Sequence, residues 1–251
     1  MGFLRASLAL VFLVLLSAPR GVDAQPADAP CRSLTFEGDP FTVCAARQGD
    51  VTRLSLRRAD GKPYRRLPVL KNDLGEAAGK VRFAMNAGMY DLRNAPIGLY
   101  VENGHQLRAI NRRDGFGNFH LKPNGVFWVG HDGKAHVMAT DAYVAQKPKP
   151  AWATQSGPML VVGGKLHHTF AHDGPSRHIR NGVGVNAAGD ALFVISDAPV
   201  SFGKLARLFR DELKVANALY FDGAVSSLWA PSLDRLDAGS DLGPLVVVTS
   251  P

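Results

Sequence analysis

Ala218-Leu219-Tyr220-Phe221-Asp222-Gly223 is an apolar run cut off by an acid and a glycine, and the segments leading into it decide how the chain is read. Such a run reads as a buried strand ending abruptly in a turn. Just upstream, Leu205, Leu208, Phe209 and Leu213 fall at helical spacing behind Ser201, a suitable N-cap. Further upstream, residues 182–186 and 191–196 are strand-like runs joined through Ala187-Ala188-Gly189-Asp190, a hairpin. Hairpin, amphipathic helix and buried strand in succession point to an α+β architecture.

The rest of the chain agrees. Strand-period or buried-strand runs occur at residues 41–44, 51–56, 81–85, 97–102, 106–110, 125–129 and 135–139. Glu102-Asn103-Gly104-His105 and His131-Asp132-Gly133-Lys134 are hairpin-turn signals between them. Residues 67–78 have room for one short helix, and residues 151–162 are strand-like around Ser156-Gly157-Pro158. The linker-like Lys147-Pro148-Lys149-Pro150 is too short to divide domains. The expectation is a single compact strand-rich α+β domain over residues 25–251, with a mixed sheet and few helices.

Composition narrows the class. Of 251 residues, 46% are hydrophobic and 20% charged, which excludes a disordered chain, and 26 glycines with 16 prolines fit a turn-rich fold. The start carries Arg5, then an apolar run over residues 6–18, shorter than the roughly 20 residues of a spanning helix. Val22-Asp23-Ala24 follows as a small-x-small cleavage site, so residues 1–24 read as a signal peptide and the mature chain starts near Gln25. A periplasmic or secreted location follows, with no stable membrane insertion after cleavage. In that oxidising setting Cys31 and Cys44, the only two cysteines, are expected to form a disulfide. Residues 25–251 keep +6 of the chain's +7 net charge, which favours anionic glycopolymers, phospholipid surfaces or phosphorylated sugars as partners over nucleic acid.

Four segments share a pattern in which a strand runs out into glycine and a polar residue. They are Met85-Asn86-Ala87-Gly88-Met89-Tyr90, Gln155-Ser156-Gly157-Pro158, residues 177–184, and Phe221-Asp222-Gly223-Ala224-Val225-Ser226. Glycine admits close approach to backbone N–H groups, and strand ends hold polar side chains rigidly. Taken in order, with Phe119-His120-Leu121-Lys122-Pro123-Asn124-Gly125 and Arg180-Asn181-Gly182-Val183-Gly184, these segments resemble the phosphodiester glycosidase family. The likeness spans residues 83–228. It departs from the family pattern at Ala87 and Ala224, each standing where the family has glycine.

The resemblance implies cleavage of the anomeric carbon–oxygen bond of a sugar-1-phosphodiester. A phosphate monoester leaves readily, so a general acid is less needed than in ordinary glycosides. The implied catalytic residues are Asp222, the best carboxylate, Arg180, whose fork suits phosphate oxygens, and Asn86. Ser156, Gly157, Gly88, Tyr90, Gly223, Ser226 and His178 are the implied substrate-binding positions. No cofactor and no metal is expected: His168 and His172 are four apart, but the glycines and proline around them suggest a loop rather than a zinc-binding helix. No Gly-x-Ser-x-Gly elbow, P-loop or dinucleotide fingerprint is present. The competing reading is a non-catalytic envelope protein that binds anionic glycans on the same scaffold, kept open by Ala224.

Overall fold

The computed structural model describes residues 29–251, so the expected signal peptide and its cleavage beside Gln25 lie outside the described residues. The chain opens with β1 (Cys31–Phe36), β2 (Asp39–Ala46) and β3 (Val51–Ser55). Helix α1 (Leu67–Leu74), which starts on Pro68 in its first turn, leads through a 3-10 stretch to β4 (Val81–Asn86). Two hairpins follow, β5 (Tyr100–Glu102) with β6 (His105–Arg108), and β7 (Gly125–Val129) with β8 (Ala135–Ala139). After α2 (Thr140–Gln146) come β9 (Trp152–Ser156), β10 (Met159–Val162) and β11 (Lys165–Leu166). The hairpin β12 (Asn181–Val185) and β13 (Ala191–Ser196) precedes α3 (Phe202–Arg207), which continues into a π turn. The chain ends with β14 (Ala218–Asp222), β15 (Leu228–Ala230), β16 (Arg235–Leu236) and β17 (Leu245–Thr249).

These strands make three sheets. A seven-stranded sheet runs β1-β2-β13-β12-β14-β10-β11, and two five-stranded sheets run β16-β15-β4-β17-β3 and β6-β5-β9-β7-β8. The strand-rich α+β domain with few helices is as expected, but the mixed sheet is not. Every pair in the three sheets is antiparallel, and hairpins such as β1–β2 and β12–β13 sit beside pairs brought together from distant parts of the chain, β2 with β13 and β4 with β17.

Strand β14 shows how the period of two organises the core. Leu219 and Phe221 point into the cluster shared by all three sheets, while Ala218 and Tyr220 point under α3. Ser201 caps α3 as the sequence predicts, its hydroxyl accepting the Lys204 N–H at 3.1 Å. Between the sheets, Phe193 of β13 lies 5.4 Å from Phe83 of β4 and 5.4 Å from Phe127 of β7, ring centre to ring centre. One side chain therefore joins three sheets. The Cys31–Cys44 disulfide is present, set by the register in which β1 and β2 place the two residues opposite each other.

Phe193→Ala should cost about 3–5 kcal/mol, the usual loss for a fully buried phenylalanine. Urea unfolding should show a lower midpoint with an unchanged slope.

Candidate active site

The site forms where the C-terminal ends of β4 and β14 meet the start of β12. Asn86 is the last residue of β4 and Asn181 the first of β12, exposed 1% and 0%, so their amides must satisfy each other. Asn181 Nδ2 donates to Asn86 O at 2.8 Å and to Asn86 Oδ1 at 3.1 Å, and Asn86 Oδ1 also accepts the Ser227 N–H at 2.8 Å. Asn181 Oδ1 in turn accepts the Asp222 N–H at 3.0 Å. The ladder between β12 and β14 shifts register at this point, with Asn181 opposite Asp222 but Gly182 opposite Tyr220. Such an irregularity re-aims the side chain at the strand end.

Asp222 is held by its own loop. Its Oδ1 accepts the N–H groups of Gly223 at 2.6 Å and Ala224 at 2.8 Å, the Val225 N–H also serves the carboxylate, and the residue lines the cleft. Burial pushes its carboxyl above the ordinary value, opposed by these backbone N–H groups. The Ser226 hydroxyl closes the loop by donating to Ile179 O at 2.9 Å.

The cleft measures about 700 Å³, and Arg65, Tyr90, Phe116, Asn118 and His120 line it with Asp222. Tyr90 donates to Asp241 O at 2.6 Å, and its phenol is pushed up to about 12, by burial first and then by Asp222 and Asp241. Arg65 pairs with Asp241 at 3.3 Å and brings a cation to the same wall.

Arg180 stands next to this site but is closed off from it. It is 0% exposed, donating from Nε to Val200 O at 2.9 Å, from Nη1 to the Tyr220 hydroxyl at 3.1 Å and from Nη2 to Ser176 O at 2.9 Å. The Phe202 ring lies 3.6 Å beneath the guanidinium carbon, and burial lowers the Arg180 pKa. The open fork expected for phosphate is therefore occupied by protein groups. Gly223 seals that pocket: a Cβ there would come within 2.1 Å of the Tyr220 hydroxyl and 3.1 Å of Arg180 Nη1.

The remaining expected residues divide the same way. Ser156 is 0% exposed and donates to Phe221 O at 3.0 Å, so it props the strand that carries Asp222. Gly88 and Gly157 are required by packing, since a Cβ would fall 2.2 Å from Thr154 Oγ1 at the first and 2.5 Å from Asn124 Cβ at the second. His178 is exposed, pairs through its backbone with Val200 and is not among the residues that line the cleft. Tyr90 and Asp222 line the cleft, and Asn86, Gly223 and Ser226 frame it from behind. Asn181, Arg65, Asn118 and His120 belong to the site but were not selected from sequence. Asn181 and His120 had a signal, each lying in a quoted motif; Asn118 shares the short 3-10 turn of His120 just before that motif, and Arg65 sits on a distant loop with no shared spacing. Among the described residues no His/Cys/Asp/Glu group is arranged to hold a metal. His167 is instead committed to Lys122 O at 3.1 Å and to the Thr169 hydroxyl at 2.9 Å.

Two outcomes follow from this geometry. Because burial raises the folded pKa of Asp222 above its unfolded value, ionisation works against the fold as pH rises past both. Asp222→Asn keeps an acceptor for the loop amides and should raise the melting temperature at neutral pH, the gain shrinking as pH falls through the carboxylate range. Asn181→Ala strands buried partners on Asn86 and Asp222 and should cost about 1–3 kcal/mol for each group left unpaired, read by denaturant unfolding.

The chain is 35% identical to the Escherichia coli (strain K12) protein YigE over 228 residues, 91% of this chain and 87% of that one. Its fold matches the catalytic domain of zebrafish N-acetylglucosamine-1-phosphodiester alpha-N-acetylglucosaminidase with a TM-score of 0.61 at 14% identity, covering 91% of this chain and 86% of that domain. A hypothetical protein from Synechocystis matches with a TM-score of 0.54 at 14% identity, over 88% of this chain and 61% of that one. Residues 79–239, which hold Asn86, Arg180, Asn181 and Asp222, match the phosphodiester glycosidase model, and the chain belongs to that family.

Proposed function

We propose that this protein is an exported glycosidase that hydrolyses the anomeric sugar–phosphate bond of a sugar-1-phosphodiester. The observation that carries the reading is Asp222: a carboxylate fixed by the backbone N–H groups of its own loop, on the wall of a cleft of substrate size. As the bond from the anomeric carbon to the phosphate oxygen breaks, positive charge grows on the sugar and the electron pair leaves with a phosphate monoester. Asp222 meets that charge, or takes the proton of the water that adds its hydroxyl to the anomeric carbon. Fixing the carboxylate beforehand means that little reorganisation is needed at that moment. On this reading the phosphate is met by groups that line the cleft, Arg65, Asn118 and His120, rather than by Arg180.

Export is supported by the charged start, the apolar run and Val22-Asp23-Ala24, and by the disulfide, which persists in oxidising compartments. Mass spectrometry of the exported protein should give an N-terminus near Gln25; an intact Met1 would overturn export.

A release assay over a panel of sugar-1-phosphodiesters tests the activity. Asp222→Asn should lower turnover by about 10²–10⁴-fold with binding largely kept, the span of general acid–base roles. The acid limb of the parent profile should lie above the ordinary aspartate range, because Asp222 must be ionised to act and burial delays ionisation. Near-normal turnover in Asp222→Asn would overturn the assignment. Glycan binding without release across the panel would favour the non-catalytic reading.

A further inference from the structure

The cleft is edged by two apolar side chains that folding leaves in water. Leu92 is 105% exposed and Phe116 is 101% exposed, and both line the cleft that Asp222 lines. Each is displayed by a defined turn. Asp91 Oδ1 accepts the N–H groups of Arg93 at 2.9 Å and Ala95 at 3.1 Å, and buried Asn94, at φ 59°, anchors the turn to Leu242 O at 3.1 Å. Phe116 stands between two glycines. A Cβ at Gly115 would come 2.8 Å from the His120 ring, and Gly117 has a φ of 86°. Neither turn needs an apolar residue at its tip, where polar side chains are the ordinary choice.

The adjoining surface repeats the pattern. Leu107, 59% exposed, shares a second cavity with Arg108, Arg112 and Arg113, and Ile97 borders both cavities. Arg112 pairs with Asp141 and Lys122 with Asp114. The exposed guanidinium groups of Arg93 and Arg108 act on the Asp91 carboxylate at the base of the Leu92 turn, and that of Arg113 is in no ion pair among the described residues.

Separate apolar tips with cations between them suit a fluid partner better than a solid one. A stable protein interface needs on the order of 800 Å² of continuous complementary surface on each side. A bilayer lets each apolar tip sink past the phosphates while each guanidinium stays among them.

We propose that this mouth docks on an anionic phospholipid surface, so that the phosphodiester delivered to Asp222 is carried by a lipid. The nature of that cargo rests on the glycosidase reading above; the docking does not. The attachment proposed is peripheral, by side chains at the mouth of the cleft; among the described residues no helix is long and apolar enough to cross a membrane.

Cosedimentation of the purified protein with vesicles tests this. Vesicles of equimolar phosphatidylcholine and phosphatidylglycerol should bind it, and phosphatidylcholine alone should bind far less. Leu92→Ser/Phe116→Ser should weaken binding by about tenfold or more, as removal of two inserted apolar side chains requires. Arg93→Gln or Arg113→Gln should each weaken it about fivefold. An unchanged unfolding midpoint shows that the surface variants remain folded. No vesicle binding, or equal binding by the parent and the Leu92→Ser/Phe116→Ser variant, overturns the proposal. So does a double variant that loses self-association instead, which would assign the tips to a second copy. Vesicle binding without release of any sugar-1-phosphodiester leaves docking standing and overturns the glycosidase reading. Cleavage of soluble phosphodiesters without vesicle binding does the reverse.

Discussion

Two side-chain amides that never reach water hold the candidate site together. Asn86 ends a strand of one five-stranded sheet and Asn181 starts a strand of the seven-stranded sheet, so their hydrogen bonds fix where those sheets meet. The same oxygens take the N–H groups of Asp222 and Ser227, which bracket the Asp222 loop. A neutral amide pair can be buried at the cost of hydrogen bonds that it then recovers, whereas a charge at either position would need a partner. The carboxylate of the candidate site thus stands on a frame whose own groups are spent on one another.

Much of this fold is legible in sequence because strands and turns have local signals. The hairpin β12–β13, the cap at Ser201, the strand before Asp222 and the facing cysteines follow from period, turn chemistry and redox setting. What was missed has no local signal. Assignment to three sheets depends on Phe83, Phe127 and Phe193 meeting from distant segments. Strand β17 is a plain apolar run, Leu245-Val246-Val247-Val248, which periodicity cannot separate from a buried helix. Helix α2 has only 7 residues and its preceding Ala139 makes no side-chain cap, so nothing marks its start.

Arg180 shows the same limit at the site. Where the family resemblance implies a phosphate, an arginine reads as an anion-binding fork. The structure surrounds it with Val200 O, Ser176 O, the Tyr220 hydroxyl and the Phe202 face, none adjacent to it in sequence. A buried guanidinium with no ion-pair partner among the described residues is tolerated because carbonyl dipoles and a π face replace water around it. Its position against Gly223 makes it a support for the Asp222 loop. Lysine could not replace it, since one ammonium cannot reach three acceptors held in the plane of a fork.

The departures at Ala87 and Ala224 can be weighed in the same terms. Both sit where backbone groups make the contacts. Ala224 is exposed and its N–H still reaches Asp222 Oδ1 at 2.8 Å, so its methyl group adds bulk toward solvent without removing a donor. Ala87 is 1% exposed, and its N–H donates to Pro244 O at 2.8 Å, tying the end of β4 to the approach of β17. A methyl group at 87 fills core volume that glycine would leave empty, while Gly88, where a Cβ would strike Thr154 and Gln155, is retained. The substitutions therefore change the surface beside the carboxylate and the packing beneath Asn86, but not the donors that orient Asp222.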